Sequence, residues 1–210
     1  MPDILLASAS PRRRELLATL GFDICVVPHH SDETIFDHLP PSERVVALAE
    51  AKAKSAQAEQ RATGAIIIAA DTLVCNPEPA SMQARDFSDK SGAITLGKPR
   101  NREEAGRMIM ALAGRIHTVH TGIAVIDTTS GLEELALSTS TVRFCMLSDV
   151  EREKYLDSGE WDGVAGGYRI QGLAAVFIEE MSGSWSGIVG LPIRELYAIL
   201  SRLSIQVPAL

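Results

Sequence analysis

Three cysteines in 210 residues, at positions 25, 75 and 145, are too few and too widely spaced for a disulfide framework or a paired zinc-ligand motif. They read as ordinary thiols, two of them in strands. No apolar run reaches the ~18 residues needed to cross a bilayer, and Met1-Pro2-Asp3 lacks the basic start of a signal peptide. A cytoplasmic chain with no membrane attachment is therefore expected. Basic residues are also in short supply: 20 Lys and Arg against 27 Asp and Glu leave a net charge of −7. Bulk nucleic-acid binding needs a broad basic surface to displace counterions, so none is expected. Any polyanion bound here must be small and held locally. Internal repeats and low-complexity tracts are absent as well. What is present is ordinary for a globular chain, with 46% hydrophobic and 22% charged residues, and the length suits one domain or two lobes sharing a sheet.

The stretch around which the rest is organised is residues 4–17, ILLASASPRRRELL. A short apolar run leads into small hydroxyl residues and then a helix start, with Ser10 suited to the N-cap and Pro11 to the first helical position. Arg12, Arg13 and Arg14 then crowd a first turn that already carries about half a positive charge and unpaired N–H groups. An anion belongs there. A phosphate satisfies the N–H groups and the guanidinium forks together; a solvated basic turn packed on a neighbouring carboxylate is the other reading.

Residues 3–20 read as strand, turn and helix, and residues 22–27 as a second extended run, which begins an α/β pattern. The polar loop of residues 29–34 contains Asp32 and Glu33 and is by default a solvated connection. Pro40-Pro41-Ser42 opens a helix to about Arg61 with Val45, Val46, Leu48, Ala49 and Ala53 on its buried side. Lys52 and Lys54 lie in that helix, where most lysines face solvent. Residues 65–74, AIIIAADTLV, form a near-continuous apolar strand of the kind buried on both faces of a sheet. Its one acid, Asp71, is costly to bury alone, so it is expected at the strand's exit beside a cation or metal, with a structural ion pair as the alternative.

Residues 76–96 have no apolar period and read as a long loop. Gly97-Lys98-Pro99 then fixes Lys98 between a turn and a helix from Asn101 to Ala113, where Glu104 has capping-box spacing. Residues 115–128 and 133–146 alternate as a hairpin. His117 and His120 are three apart in a strand, point to opposite faces, and are not expected to share a metal. Ser148 with Glu151 opens a helix to Ser158, Ala165-Gly166-Gly167-Tyr168 allows close backbone approach, residues 174–180 read as a strand, and Pro192 begins a last helix to about Leu203.

In this order and spacing, several segments resemble the Maf family of nucleoside triphosphate pyrophosphatases, also known as septum-formation inhibitor proteins. They are SASPRRRELL at 8–17, the Asp32-Glu33 loop, the Lys52 helix, AADTLV at 69–74, GKP at 97–99, HTVHTGIAV at 117–125, AGGYRIQG at 165–172 and GIVGLPI at 187–193. The resemblance runs almost end to end. It implies one Maf-like domain over residues 1–210, an α/β fold with a mixed sheet, flanking helices and two lobes around a deep cleft, similar to the inosine-triphosphate pyrophosphatases, with residues 76–96 as an inserted loop. It also implies hydrolysis of a nucleoside triphosphate to monophosphate and pyrophosphate with a divalent metal, magnesium or manganese. A homodimer is compatible with the family, although no stretch of this chain demands one. Carried over position by position, Asp71 activates water or holds the metal, and Glu33 is a further acid of the metal site. Arg13, Lys52 and Lys98 contact phosphate, and Ser8 lies in the cradle. Carboxylates and phosphate oxygens without thiolates or paired histidines suit those cations, and one-step attack by water is preferred to a covalent intermediate.

Arg12, Thr72 and Gln171 resemble the branch of the family that acts on dTTP, UTP and related pyrimidine nucleotides; the 7-methyl-GTP branch tends to carry Trp, Gln and Glu there. A Gln offers a pyrimidine edge both a donor and an acceptor. Two departures stand out. Val164 occupies the place where the family usually has Lys, so one cation is missing unless Lys90, Arg169 or another residue replaces it, and the 76–96 segment is longer than the family's usual hairpin. A 7-methyl-GTP-type pyrophosphatase and a non-catalytic nucleotide sensor acting on cell division remain as alternatives.

Overall fold

A computed structural model describes residues 3–60, 64–76 and 94–209. The β-branched and apolar runs form seven strands: β1 (Asp3–Leu6), β2 (Ile24–Val26), β3 (Ala65–Asn76), β4 (Ile94–Leu96), β5 (Ile116–Asp127), β6 (Glu133–Phe144) and β7 (Ile178–Ser182). They make one mixed sheet of order β2-β1-β3-β5-β6-β7, with β4 beside β3. β2, β1 and β3 are parallel, and every other pairing is antiparallel. The expected mixed α/β sheet with flanking helices is what forms. The helices are α1 (Pro11–Ala18), α2 (Pro41–Gln60), α3 (Arg102–Leu112), α4 (Asp149–Asp157), α5 (Trp185–Val189) and α6 (Ile193–Arg202).

Alternation along β3 divides the core between the two faces. Ile66 and Ile68 pack with Leu17 of α1, Ile109 of α3 and Leu200 of α6. Ile67 and Ala69 pack with Ala49, Ala53 and Ala56 of α2. The alanines let α2 lie close on the sheet, and Gly122 of β5 brings it closer still. A Cβ at Gly122 would sit 2.3 Å from the Val45 carbonyl oxygen.

One gap in the ladder decides where ligands reach the sheet. β1 pairs with β3 only as far as Ile68, and β4 begins pairing at Val74. β5 holds the other edge of β3 without interruption from Ile66 to Cys75. Among the described residues, 69–73 therefore have one edge free of strand partners, at the carboxyl end of β1, where open α/β sheets place their crevices.

Several expectations need correction. β3 runs on to Asn76, so Asp71 lies within the strand and not at its exit; the strand that ends beside it is β1. The continuing β5 ladder keeps β3 extended past the acid. Of the 76–96 segment, Ile94–Leu96 is a strand, and residues 77–93 lie outside the described residues. The strand expected at 174–180 is a 3₁₀ turn, Leu173–Phe177, followed by β7. Ala174 and Phe177 are both buried, and a spacing of three matches the period of that turn, not of a strand. α5 forms where the sequence assigns no element, capped by Ser184, which accepts from Gly187 N. Ser10 takes the N-cap backbone conformation of α1 but its side chain makes no cap bond. His117 and His120 do face apart: His117 is buried with Nε2 2.8 Å from the Tyr168 hydroxyl, while His120 Nδ1 lies 3.0 Å from Thr139 Oγ1. Cys25 and Cys75 lie in β2 and β3, Cys145 just beyond β6, and no disulfide joins them.

Candidate active site

The ladder gap opens into a cleft of about 600 Å³. Its acid end is built by α2 and β3. On α2, Val45, Leu48, Ala49, Lys52, Ala53 and Ala56 are all buried and follow the i, i+3, i+4, i+7 spacing of one helical stripe. On β3, Asp71 alternates with Ile67 and Ala69 and therefore points at the same layer. Lys52 Nζ donates to Asp71 Oδ1 at 2.6 Å and lies 2.7 Å from Glu33 Oε1. The default of a solvent-facing Lys52 is thus corrected: it is 5% exposed. Burial of a charge demands partners, and here one ammonium bridges two carboxylates. Glu33 sits in a 3₁₀ turn, Glu33–Phe36, whose start is fixed by Asp32 accepting from Thr34 N. Partial burial pushes the Glu33 carboxyl upward, but the hydrogen bond and charge of Lys52, with Lys98 and His29 behind it, hold it below its ordinary value.

The cationic wall comes from the start of α1. Arg13 Nε donates to the Gly190 carbonyl at 2.8 Å, Nη1 to Ser8 Oγ at 3.1 Å and Nη2 to Thr72 Oγ1 at 3.2 Å. Gly190 has φ of 126°, a conformation that leaves its carbonyl turned to Arg13 and that disfavours any side chain. Burial lowers the Arg13 pKa, with Asp71 and Glu33 opposing that shift. Arg12 also lines the cleft. Its pKa is lowered by burial and then by the like charges of Arg169 and Arg13, against an opposing Glu15. Arg14 is exposed. The three arginines therefore do different things, and the first turn of α1 has no acid to offset them.

Lys98, Thr72 and Gln171 complete the lining from three directions. Lys98 is exposed, and the turn before it is held because the Gly97 carbonyl accepts from Gly166 N at 3.0 Å, tying GKP to AGGY. Gly166, at φ 70°, lies against Val74, so the same turn packs on β3. All nine residues singled out from the sequence, from Ser8 to Gln171, line this one cleft. Val164 lines it as a buried apolar side chain, and Arg169 lines it nearby with Nη2 donating to the Asp162 carbonyl at 3.1 Å. Lys90 lies outside the described residues.

Sequence reasoning passed over His29, Arg44, Thr121 and Gly190. His29 and Arg44 line the cleft. Burial and Lys52 lower the His29 pKa, with Glu33 opposing. Thr121 is found not from the sequence but from the register of the folded sheet, which pairs it directly with Thr72 on the neighbouring strand. The signal for Gly190 was its place in GIVGLPI, a motif with no role assigned to it.

Asp71 and Glu33 are the acids open to a metal, each with a second oxygen beyond the one facing Lys52. No cluster of three or more His, Cys, Asp or Glu suited to a metal occurs among the described residues. Such a donor set fits a hard cation that takes one or two carboxylates and fills its shell with water and phosphate oxygens, as magnesium does.

A family profile described as Maf-like protein matches residues 3–203. The chain belongs to the Maf-like family. Among similar proteins, the dTTP/UTP pyrophosphatase of Treponema denticola is 38% identical over 99% of this chain and 100% of its own length. That of Desulforamulus reducens is 40% identical over 99% of this chain and 100% of its own. Among solved structures, a HAM1 protein from Coxiella burnetii aligns over 96% of this chain and 100% of its own, at 17% identity and a TM-score of 0.46. No helix among the described residues of this Maf-like chain is long and apolar enough to cross a membrane.

Proposed function

We propose that this chain hydrolyses pyrimidine nucleoside triphosphates, dTTP and UTP, to the monophosphate and pyrophosphate. The observation that carries the reading is identity of 38% and 40% over 99% of the chain to proteins named dTTP/UTP pyrophosphatase. The cleft supports it with suitable chemistry. A water oxygen bonds to the α-phosphorus as the bond from that phosphorus to the bridging oxygen breaks, and pyrophosphate leaves with the bond's electrons. Lys52 occupies Asp71 Oδ1, so Oδ2 is left to orient the water and accept its proton. Arg13 uses three of its N–H groups on protein, which leaves two for phosphate oxygens. Together with Lys98 they face the charge that grows on the leaving group. Arg169 supplies a cation in the cleft where Val164 supplies none. Gln171 meets the base, and Arg12, which also lines the cleft, is a second specificity residue.

Glu33, with Asp71 where it does not serve as the base, would hold magnesium or manganese, which when bound neutralises phosphate charge as a Lewis acid. The test is a panel of dTTP, UTP and 7-methyl-GTP assayed for pyrophosphate release while metal is titrated. Release is expected from the two pyrimidine nucleotides, abolished by chelation and cut about 10²- to 10⁴-fold in Asp71→Asn. Preference for 7-methyl-GTP overturns the substrate assignment, and silence across the whole panel overturns the enzyme.

A further inference from the structure

A buried hydroxyl on β5 joins the Arg13 network from behind the cleft. Thr121 is 1% exposed, does not line the cleft, and pairs in register with Thr72. Its Oγ1 lies 2.8 Å from the Gly187 carbonyl oxygen and 3.0 Å from Thr72 Oγ1. Thr72 Oγ1 in turn lies 3.2 Å from Arg13 Nη2. A carbonyl oxygen has no proton, so Thr121 donates to Gly187. Its hydroxyl is also placed to donate to Thr72 Oγ1, so one proton serves two neighbouring acceptors. A guanidinium only donates, so the Thr72 oxygen receives Arg13 as well. Thr72 Oγ1 thus accepts from Arg13 on one side and from Thr121 on the other, and Thr121 is anchored to the backbone of α5.

We propose that Thr121 is a positioning residue which, by holding the Thr72 hydroxyl oxygen in place, sets the Arg13 guanidinium in the cleft, so that Thr72 acts on the nucleotide through Arg13. The proposal rests on the pyrophosphatase reading only for its kinetic form. On the cleft side, the Thr72 oxygen meets Arg13, the cation that faces phosphate. Of the three anchors on Arg13, the Thr72 bond alone depends on a hydroxyl that Thr121 holds from another strand; Gly190 is backbone, and Ser8 belongs to the same loop and helix start as Arg13. Without Thr121, the Thr72 oxygen loses the bond that holds it in place for Arg13.

The experiment compares the wild-type chain with Thr121→Val, Thr121→Ser, Thr72→Val and the double valine variant. Turnover of dTTP and 7-methyl-GTP is measured, together with calorimetric binding of the non-hydrolysable α,β-imido analogue of dTTP. Valine matches threonine in shape; if it prevents folding, Thr121→Ala takes its place. Loss of one such hydrogen bond to a charged group is expected to lower kcat/KM for dTTP about tenfold and to weaken analogue binding similarly. Thr121→Ser restores both, the ratio of dTTP to 7-methyl-GTP stays put in every variant, and the double variant is no worse than Thr72→Val alone. Wild-type kinetics and binding in Thr121→Val overturn the relay, as does additivity of the two valine substitutions or a shift of base preference in Thr72→Val. A chain that turns over nothing, yet loses analogue affinity in Thr121→Val, overturns the hydrolase reading and keeps the relay.

Discussion

Lys52 is the residue on which the acid end of the cleft depends, because its ammonium meets both Asp71 and Glu33. Replacing it by methionine keeps the length and apolar contacts of the stem but leaves Asp71 buried without the cation that hydrogen-bonds it. Breaking a buried pair from one side typically costs about 3–5 kcal/mol. Lys52→Met is therefore expected to lower stability by that order in urea denaturation, and the double variant Lys52→Met/Asp71→Asn to recover part of the loss because no charge is then left unpaired. A double variant as unstable as the single one excludes this account. The buried stripe of residues 45, 48, 49, 52, 53 and 56 includes Lys52, which from the sequence is expected by default to face solvent. What the stripe does not name is its partner, since Asp71 lies on a strand 19 residues further along.

At the scale of elements, the decisive contact is α2 on the β3–β5 pair. Gly122 pairs with Asp71 in register, and the Val45 backbone occupies the space above it. A methyl group there cannot be accommodated by rotating a side chain, because the clash is with a carbonyl oxygen 2.3 Å away. Gly122→Ala should push α2 off the sheet, cost about 1–3 kcal/mol as overpacking does, and reduce dTTP turnover by carrying Lys52 away from Asp71. Urea denaturation and the pyrophosphate assay read the two effects separately, and an alanine variant with native stability and rate would show that α2 is not seated by this contact. Helices and long strands were legible here because their caps and periods are local: Ser148 and Glu151 form the expected capping box. Asn101 caps α3 as expected, yet Glu104 turns to Arg100 instead of completing a box. The 3₁₀ turn at Leu173–Phe177 was misread because five apolar residues in a row have no strand period to distinguish them from a tight turn.

For the molecule as a whole, His117 links the hairpin to the AGGY turn. Its ring meets Phe144 and Tyr168 edge to face and bonds the Tyr168 hydroxyl. Burial pushes its pKa down to about 3. The unfolded chain protonates the same ring near its ordinary value of about 6.5, so between those two values the unfolded state binds more protons than the folded one. Stability is complete above the unfolded value and falls as pH drops through this window. From pH 6.5 to 5, before most carboxylates titrate, the loss attributable to His117 is about 1.5 kcal/mol. His117→Gln keeps a partner for Tyr168 but cannot titrate, and should flatten that slope in melting temperatures recorded across the range. An unchanged slope would place the acid sensitivity elsewhere.

Local chemistry and spacing by themselves determined the α/β order of elements and the inconsistency of three arginines at a helix start that lacks an acid, while the resemblance of the motifs to a family named the residues of the cleft. Those properties depend on neighbours within a few residues, or on motifs whose order survives in the chain. Only the tertiary structure decided that β1 stops short of β4 and leaves Asp71 and Thr72 on an open edge. It also decided that the two residues face opposite layers, Asp71 toward Lys52 and Thr72 toward Arg13. The physical reason is that a carboxylate's or hydroxyl's role is set by which donors reach it. Those donors come from α1, α2 and β5, which only the packed sheet brings within hydrogen-bond distance.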